Sequence, residues 1–234
     1  MTDPLQAEPD PQVRPAAAGP VALAAVERDR ALADLAAACA DCRSCSLAAS
    51  RLQVVMARGN PAARLMLVGE GPGATEDETG LPFVGRSGQL LDALLTAAGL
   101  DSGRDTYICN VVKCRPPGNR RPTTAEMAAC RPWLERQITL VDPPLILLIG
   151  ATALEGVLGI RSGITQRRGQ WHSSGTANLL GRQLMPILHP SYLLRFSSET
   201  EGSPRALTAT DLREARRALR QVQSDGSTSL APPL

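Results

Sequence analysis

One of the chain's two histidines, His189, directly follows an apolar run at residues 184–188 that predicts a buried strand. Parallel α/β sheets carry their chemistry at the carboxyl ends of their strands. An imidazole followed closely by a basic side chain suits a site that handles an anion. A histidine at a strand end is also common for purely structural reasons, so this segment alone does not decide the function. It reads His189-Pro190-Ser191-Tyr192-Leu193-Leu194-Arg195.

The six cysteines form a second group that could do chemistry. Cys42 and Cys45 have a metal-ligand spacing, and Cys114 and Cys130 could supply two more thiolates, for zinc or for an iron-sulfur cluster. The uneven spacing of the second pair disfavours a zinc ribbon and favours a cluster. The alternative is a set of unrelated buried thiols. Small buried hydrophobic side chains are expected for the remaining two, Cys39 and Cys109.

A glycine-rich loop at residues 69–85 could bind a ligand. A dinucleotide fingerprint fits its start, but the next helix is delayed to about residue 87, Pro72 lacks a backbone donor, and acidic residues at 76–78 would face the phosphates. No Gly-Lys-Ser/Thr of a P-loop is present. The loop therefore predicts a pocket wall for a planar, mostly neutral ligand, with Phe83 as the stacking ring. The alternative is that Phe83 closes the edge of the core.

Charge indicates a local rather than a global basic surface. The net charge of +2 does not identify a nucleic-acid binder, and Lys113 is the single lysine. Arginines cluster after it, at Arg115, Arg120 and Arg121, and a second pair stands at 167–168. These groups predict a local basic surface. Ordinary solvated arginines are the alternative for each.

Apolar runs at 64–69, 106–112, 145–150 and 184–188 predict the strands that position these groups. Helical patterns fall between them, at 21–38 and 89–98, after a capping box of Thr123 with Glu126, and after Thr208 with Asp211. The third helix is expected to bend near Pro132. The alternation predicts an α/β fold, a three-layer α/β/α domain around a mainly parallel central sheet of about four strands. The last helix carries an apolar stripe of Leu212, Ala215, Leu219 and Val222.

We expect one domain at residues 21–222, with disordered tails at 1–20 and 223–234 whose composition lacks an apolar period. The chain contains neither a run of 18 uncharged apolar residues nor a secretory signal pattern. The sequence therefore predicts a cytoplasmic protein without membrane contact, and we expect a monomer.

Several separated segments between about residues 36 and 218 together resemble the family-four, iron-sulfur uracil-DNA glycosylases. Cys42, Cys45, Cys114 and Cys130 match the cluster ligands of that family in order and spacing, which implies a 4Fe-4S cluster. The motifs that carry the resemblance are Gly69-Glu70-Gly71-Pro72-Gly73, Gly80-x-Pro82-Phe83-Val84-Gly85, Tyr107-Ile108-Cys109-Asn110, Lys113-Cys114-Arg115-Pro116-Pro117 and the heptapeptide from His189 to Arg195.

The resemblance implies a DNA repair enzyme that flips uracil out of DNA, single- or double-stranded, and hydrolyses its N-glycosidic bond. His189 would donate to the departing base, Asn110 would read its edge, and Phe83 would stack on it. Glu76 would lie near uracil C5 and exclude thymine. Gly71, in the uracil-binding loop, stands where other branches carry Asp or Asn, so Glu70 is the candidate to orient the water. The alternative is that Glu70 shapes the pocket.

The resemblance also implies DNA contacts outside the pocket. Leu193, Leu194 and Arg195 would fill the gap left by the flipped base and hold phosphate. The arginines at 115, 120 and 121 and the pair at 167–168 would contact the phosphate backbone. Cys109 stands where a small polar residue is usual. Residues 115–122 contain no histidine, which disfavours a related branch that becomes trapped covalently on its product.

Two other functions stay open on the sequence. One is an iron-sulfur sensor that binds uracil-DNA with weak catalysis, because no carboxylate stands at position 71. The other is a nucleotide-dependent oxidoreductase that uses the glycine loop, which the delayed helix disfavours.

Overall fold

A computed structural model describes residues 25–196 and 198–225 of the chain. The predicted tail at 1–20, the first residues of the predicted helix at 21–38 and most of the predicted tail at 223–234 lie outside the described residues. At the carboxyl end the last helix continues to Asp225, three residues beyond the predicted limit of the domain.

A five-stranded sheet forms the centre of the domain, in the order β1-β3-β2-β4-β5. The four predicted strands are confirmed and pair in parallel, while β1 is a two-residue edge strand, antiparallel to β3, that the sequence did not predict. Pro186 lies in β5, where Leu148 is its partner on β4. The strands are β1 (Arg58–Gly59), β2 (Leu65–Gly69), β3 (Thr106–Asn110), β4 (Leu145–Ile149) and β5 (Gln183–Ile187).

Eight α-helices are assigned in the described residues, and they cover both faces of the sheet. Alternate strand residues point to opposite faces, so Met66 and Val68 pack with α4 and α5 on one side, and Leu65 and Leu67 pack with α3 and α8 on the other. The three-layer α/β/α prediction is confirmed. The helices are α1 (Ala25–Ala40), α2 (Ala74–Thr79), α3 (Arg86–Ala97), α4 (Thr124–Val141), α5 (Ala151–Leu158), α6 (Ile164–Arg167), α7 (Pro190–Leu193) and α8 (Pro204–Asp225).

Local signals in the sequence succeed at one helix start and fail at another. The capping box of Thr123 and Glu126 opens α4 as predicted, and the helix continues through Pro132. The prediction that Thr208 opens the last helix is wrong. That helix begins at Pro204, and the Thr208 hydroxyl donates to the Pro204 carbonyl inside its first turns. The predicted apolar stripe of α8 is buried.

The strand order creates a crevice where the chemistry can lie. From β2 the chain turns to β3 on one side, and from β4 it turns to β5 on the other, so the carboxyl ends of β2 and β4 flank a topological switch point. Glu70 follows β2 and Thr152 lies at the start of α5 after β4, and the Thr152 hydroxyl donates a hydrogen bond to Glu70 across this crevice. None of the described helices is both long and apolar enough to span a membrane.

Candidate active site and thiol cavity

A cleft at the carboxyl ends of the strands brings several of the predicted site residues together. Its lining includes Glu70, Gly71, Glu76, Phe83 and His189. The loop that carries the predicted basic residues borders the same cleft through Pro116, Asn119 and Arg120.

His189 is held as a neutral imidazole with a defined tautomer. It caps α7, and its Nδ1 accepts a 3.1 Å hydrogen bond from the backbone N–H of Ser191. A backbone N–H can only donate, so the imidazole proton lies on Nε2. Burial lowers the pKa of His189 to about 4. The side chain therefore offers one fixed N–H donor at neutral pH without a positive charge.

Asn110 ends β3 behind the cleft and carries an unsatisfied acceptor. Its side chain is buried, and Oδ1 has no hydrogen-bond partner. Oδ1 and the Phe83 ring both lie over the strand end at Gly69, since a Cβ added there would come within 2.5 Å of Oδ1 and would overlap the ring. Only glycine lets these two side chains meet at this point. A buried acceptor without a partner is costly, so the site is built to receive a donor.

Phe83 is buried, but its backbone is not in a relaxed conformation. Its φ of 56° is in the left-handed region, where a bulky residue is strained. Arg58 on β1 holds the loop by donating to the carbonyls of Pro82 and Phe83 and pairing with Asp92 on α3. The ring centroid of Phe83 lies 5.9 Å from that of His189. The ring thus serves both as a wall of the cleft and as part of the core, so the two alternatives from the sequence are combined.

Glu76 lines the cleft, but its carboxylate is fully engaged by the backbone. Oε1 accepts from the N–H groups of Val84 and Gly85, and Oε2 accepts from Gly73. These bonds close the loop on either side of Phe83. Three backbone donors occupy its oxygens, so Glu76 holds the loop in place while it lines the cleft. Its predicted catalytic role and its predicted place near uracil C5 stay predictions.

Glu70 is the carboxylate that stays available at the centre of the cleft. It is half-buried, and its one side-chain partner in the described residues is the Thr152 hydroxyl. Gly71 packs closely, since a Cβ added there would lie 2.7 Å from Cγ2 of Val112. An Asp or Asn at position 71 would therefore displace Val112.

In the heptapeptide from His189 to Arg195, the exposed residues are not all those predicted to contact DNA. Leu193 is fully buried, at 0% exposure, so the prediction that it enters DNA is wrong. The exposed apolar side chains are its neighbours Tyr192, Leu194 and Phe196, of which Tyr192 and Phe196 stack at a centroid distance of 4.8 Å. Arg195 is also exposed. One turn of helix turns Leu193 inward and leaves the flanking residues on the surface.

The predicted basic residues carry partners within the protein. Arg115 donates to Asn119, and Arg121 pairs with Glu155. Arg120 binds both carboxylate oxygens of Glu126, and this contact lowers the pKa of that carboxyl to about 2. Arginines 120 and 121 keep about half of their side-chain surface exposed.

Arg168 does not have the predicted role. Its guanidinium is largely buried and paired with the buried Asp211 on α8, with a further bond to the Leu207 carbonyl. The expectation that it contacts phosphate is wrong, because the side chain joins the loop before β5 to α8 instead.

A small cavity beside α1 and α4 collects five of the six cysteines. It is lined by Cys39, Cys42, Cys45, Cys114 and Cys130. The four predicted ligands therefore meet. Cys39 is buried as expected, but it also faces the same cavity. Cys109 lies within the core.

Hydrogen-bond donors point at the sulfurs of this cavity. Arg51 donates to Cys114 Sγ at 3.4 Å, and the backbone N–H of Lys113 donates to Cys130 Sγ at 3.3 Å. Burial alone would raise the pKa of Cys42, but hydrogen bonds with Ser44 outweigh it and the pKa is lowered. Burial raises the pKa of Cys114 and of Cys130, while the donors at their sulfurs stabilise the thiolate form that a metal ligand needs. No described group of three His, Cys, Asp or Glu side chains is arranged to hold a single metal ion.

Sequence reasoning missed three residues that set the geometry of the site. Ser191 fixes the tautomer of His189, Thr152 orients Glu70, and Arg58 holds the loop of Phe83. The positions of Ser191 and Thr152, each within a few residues of a strand end, were a usable signal. Arg58 stands far from Phe83 in the sequence, and nothing local marks it.

Comparisons of the sequence with known proteins find the following similarities. A family model described as the uracil DNA glycosylase superfamily matches residues 56–220. A type-4 uracil-DNA glycosylase of Thermotoga maritima is 45% identical over 179 residues, which cover 75% of this chain and 88% of that protein. One of Saccharolobus solfataricus is 36% identical over 159 residues, covering 65% and 72%. A type-5 uracil-DNA glycosylase of Thermus thermophilus is 33% identical over 176 residues, covering 68% and 77%.

Proposed function

The chain belongs to the uracil DNA glycosylase superfamily, and we propose that it hydrolyses the bond between uracil and deoxyribose in DNA and leaves an abasic site. The observation that carries this proposal is the buried, unpaired Oδ1 of Asn110 beside the Phe83 ring. Base excision repair is the process that such a hydrolase serves.

Base recognition follows from this acceptor. Uracil has a donor at N3, which can pair with the Asn110 Oδ1, whereas cytosine has an acceptor at that position and would leave both groups unsatisfied. A site built around a buried hydrogen bond rejects the wrong partner strongly for this reason. Phe83, whose strained backbone is held by Arg58 and Glu76, supplies the ring against which the base stacks.

His189 is proposed to stabilise the leaving group. As the C1′–N1 bond breaks, the electron pair goes to the base and negative charge develops on its O2. The Nε2–H of a neutral, half-buried imidazole is an oriented donor for that charge, and preorganised donors of this type are usually the largest single term in catalysis.

Glu70 is proposed to orient the attacking water. The water oxygen forms the new bond to C1′, and its proton passes to the Glu70 carboxylate. The Thr152 hydroxyl supports this role because it fixes the orientation of Glu70 across the crevice. Gly71 contributes backbone to the uracil-binding loop rather than a side chain.

DNA binding requires the base to leave the duplex, at a cost of a few kcal/mol. We propose that exposed Leu194 enters the vacated space and that Arg195 holds the neighbouring phosphate, which offsets part of this cost. Arg120 borders the cleft. The surface-exposed parts of Arg115, Arg120 and Arg121 are proposed as further phosphate contacts. Both single- and double-stranded uracil-DNA are proposed substrates.

We propose that Cys42, Cys45, Cys114 and Cys130 hold a 4Fe-4S cluster in the thiol cavity. This assignment is supported by the all-sulfur donor set and by the hydrogen bonds from Arg51 and Lys113 to two of the sulfurs. When bound, such a cluster would supply a rigid cross-link between the segment after α1, the loop after β3 and α4. A monomeric state and a cytoplasmic location stay predictions from the sequence.

The test is a glycosylase assay on labelled oligonucleotides that contain one uracil, with alkaline cleavage of abasic sites. We expect strand scission on single strands and opposite each base, and none on matched oligonucleotides with thymine or cytosine. Tight binding of uracil-DNA without scission above a heat-killed control would contradict the proposal and favour the sensor. Iron and sulfide analysis of the same preparation tests the cluster separately.

A further inference from the structure

Lys113, the single lysine of the chain, is buried between the thiol cavity and the uracil-reading strand with 1% of its surface exposed. Its Nζ donates a 2.6 Å hydrogen bond to the carbonyl oxygen of Asn110. Among the residues that the structure describes, this is its one hydrogen-bond partner, and no carboxylate lies within salt-bridge distance. An ammonium carries three donors and a full charge, so its burial without a counter-charge is costly.

Cysteine sulfurs are the groups placed to supply that charge. Lys113 lies on the wall of the thiol cavity, and its own backbone N–H donates to Cys130 Sγ. Free thiols are neutral, whereas cysteines bind iron as thiolates. The anionic form of these sulfurs is therefore the form that compensates the lysine.

The segment that carries Lys113 is tied to the catalytic loop as well. Val111 donates to the Gly69 carbonyl at 2.9 Å, and Val112 donates to the Glu70 carbonyl at 3.2 Å. On the other side, Val55 donates to the Lys113 carbonyl. A displacement of Lys113 would therefore move the Asn110 carboxamide and the backbone of Glu70.

We propose that Lys113 couples the iron-sulfur site to uracil recognition. Its ammonium neutralises the charge of the iron-bound thiolates, and its hydrogen bond to the Asn110 carbonyl fixes the strand end from which Asn110 reads the base. Lys113 is a positioning residue, since its side chain bonds to the backbone of Asn110. The proposal rests on the uracil-DNA glycosylase function and deepens it.

The test compares iron-loaded Lys113→Met with Lys113→Arg and with Arg51→Met. The Arg51 guanidinium donates to Cys114 Sγ and has no bond to Asn110, so Arg51→Met is the control for a cation removed beside the sulfurs without a change at Asn110. We expect Lys113→Met to make the reduction potential of the cluster more negative and to lower kcat/KM on uracil-DNA at least tenfold. Arg51→Met should shift the potential alone, and Lys113→Arg, which keeps the charge, should hold the potential near that of the wild type.

An unchanged potential in Lys113→Met, or a changed potential with unchanged kcat/KM, overturns the coupling. Should Lys113→Met fail to load iron, the wild type supplies the second measurement. Free uracil should bind the loaded protein at least tenfold more tightly than the chelator-stripped protein, with no such difference in Asn110→Ala. Equal binding in both wild-type forms overturns the coupling. A wild type that holds iron but releases no uracil from DNA would instead overturn the proposed function.

Discussion

The backbone N–H of Ser191 donates to Nδ1 of His189 at 3.1 Å, and this single bond fixes which ring nitrogen faces the cleft as a donor. The geometry follows from the proline at position 190, which begins α7 immediately after the strand and turns the next N–H back onto the ring. A protonated imidazole would present a second N–H to the Ser191 donor and lose this bond. The neutral form is therefore the one that the local structure favours.

Replacing His189 with Asn should lower the single-turnover rate on uracil-DNA by about 100- to 1000-fold, which is the usual cost of one lost oxyanion donor. Binding should change little, since the donor acts mainly as charge develops. His172→Asn, which removes the chain's other histidine, is the control and should keep the wild-type rate. A His189→Asn enzyme with more than a tenth of the wild-type rate would contradict the assignment.

The pH dependence of the rate should show no ionisation near pH 6.5. Because burial lowers the pKa of His189 to about 4, the imidazole stays neutral as pH falls through the usual range and is protonated only near the lower value. The expected loss of activity that depends on His189 thus lies at the acid end. A rate profile whose acid limb is centred at 6.5 in the wild type would show that the imidazole is not buried as described.

Replacing Asn110 with Ala should lower kcat/KM for uracil by about 100- to 10000-fold, because the buried acceptor that pairs with N3–H is lost. The protein itself should be stabilised or unchanged, since an unsatisfied buried oxygen is removed from the free enzyme. The paired measurements are single-turnover kinetics and urea unfolding. A loss of activity accompanied by marked destabilisation would instead indicate a structural role.

Glu70 and Glu76 should differ sharply when each is changed to Gln. Glu70→Gln removes the base that receives the water proton, so we expect a rate about 100-fold or more below wild type with an unchanged melting temperature. Glu76→Gln weakens three backbone hydrogen bonds of the Phe83 loop, so we expect a lower melting temperature and a higher KM. Equal kinetic effects of the two substitutions would argue against the division of roles.

The sequence predicted the layers of this fold because the signals were local and strong. The β2, β3 and β4 strands are short, continuous apolar runs, typical of parallel strands buried on both faces, and their limits agree with prediction within two residues. The two-residue β1 carries no such pattern, since it exists only by pairing with β3. The start of α8 was missed because Thr208 and Asp211 resemble a cap, whereas the helix already begins at Pro204.

The sequence predicted which residues occupy the site, but it did not predict the directions in which their side chains point. His189, Asn110 and Phe83 stand at strand ends or in the glycine loop, which the pattern identifies. Whether a side chain of the short helix α7 points inward or outward depends on packing that no local pattern fixes, and Leu193 is the example. Two partners of Glu76, Val84 and Gly85, likewise lie eight and nine residues away in the loop, and only the folded loop brings them to it.

Alanine substitutions of Leu193 and Leu194 should distinguish a side chain that stabilises the fold from one that inserts into DNA. Leu193→Ala removes a fully buried side chain and should cost about 2 to 5 kcal/mol of unfolding free energy. Leu194→Ala removes an exposed side chain, so the fold should be unaffected while the rate on double-stranded uracil-DNA falls more than the rate on single strands. If the loss in Leu194→Ala were equal on both substrates, insertion into the duplex would not be its role.

Breaking the ion pair of Arg168 and Asp211 should lower the free energy of unfolding without changing the salt dependence of DNA binding. Both groups are largely buried, so Arg168→Ala leaves an uncompensated carboxylate against α8 and should cost about 3 to 5 kcal/mol. A phosphate contact would behave differently, because its removal lowers the steepness with which DNA binding falls as salt rises. Measuring unfolding and the salt dependence of binding for Arg168→Ala, with the surface variant Arg213→Ala as control, separates the two. An unchanged stability with a reduced salt slope would return Arg168 to the DNA interface, whereas the buried pair predicts the opposite result.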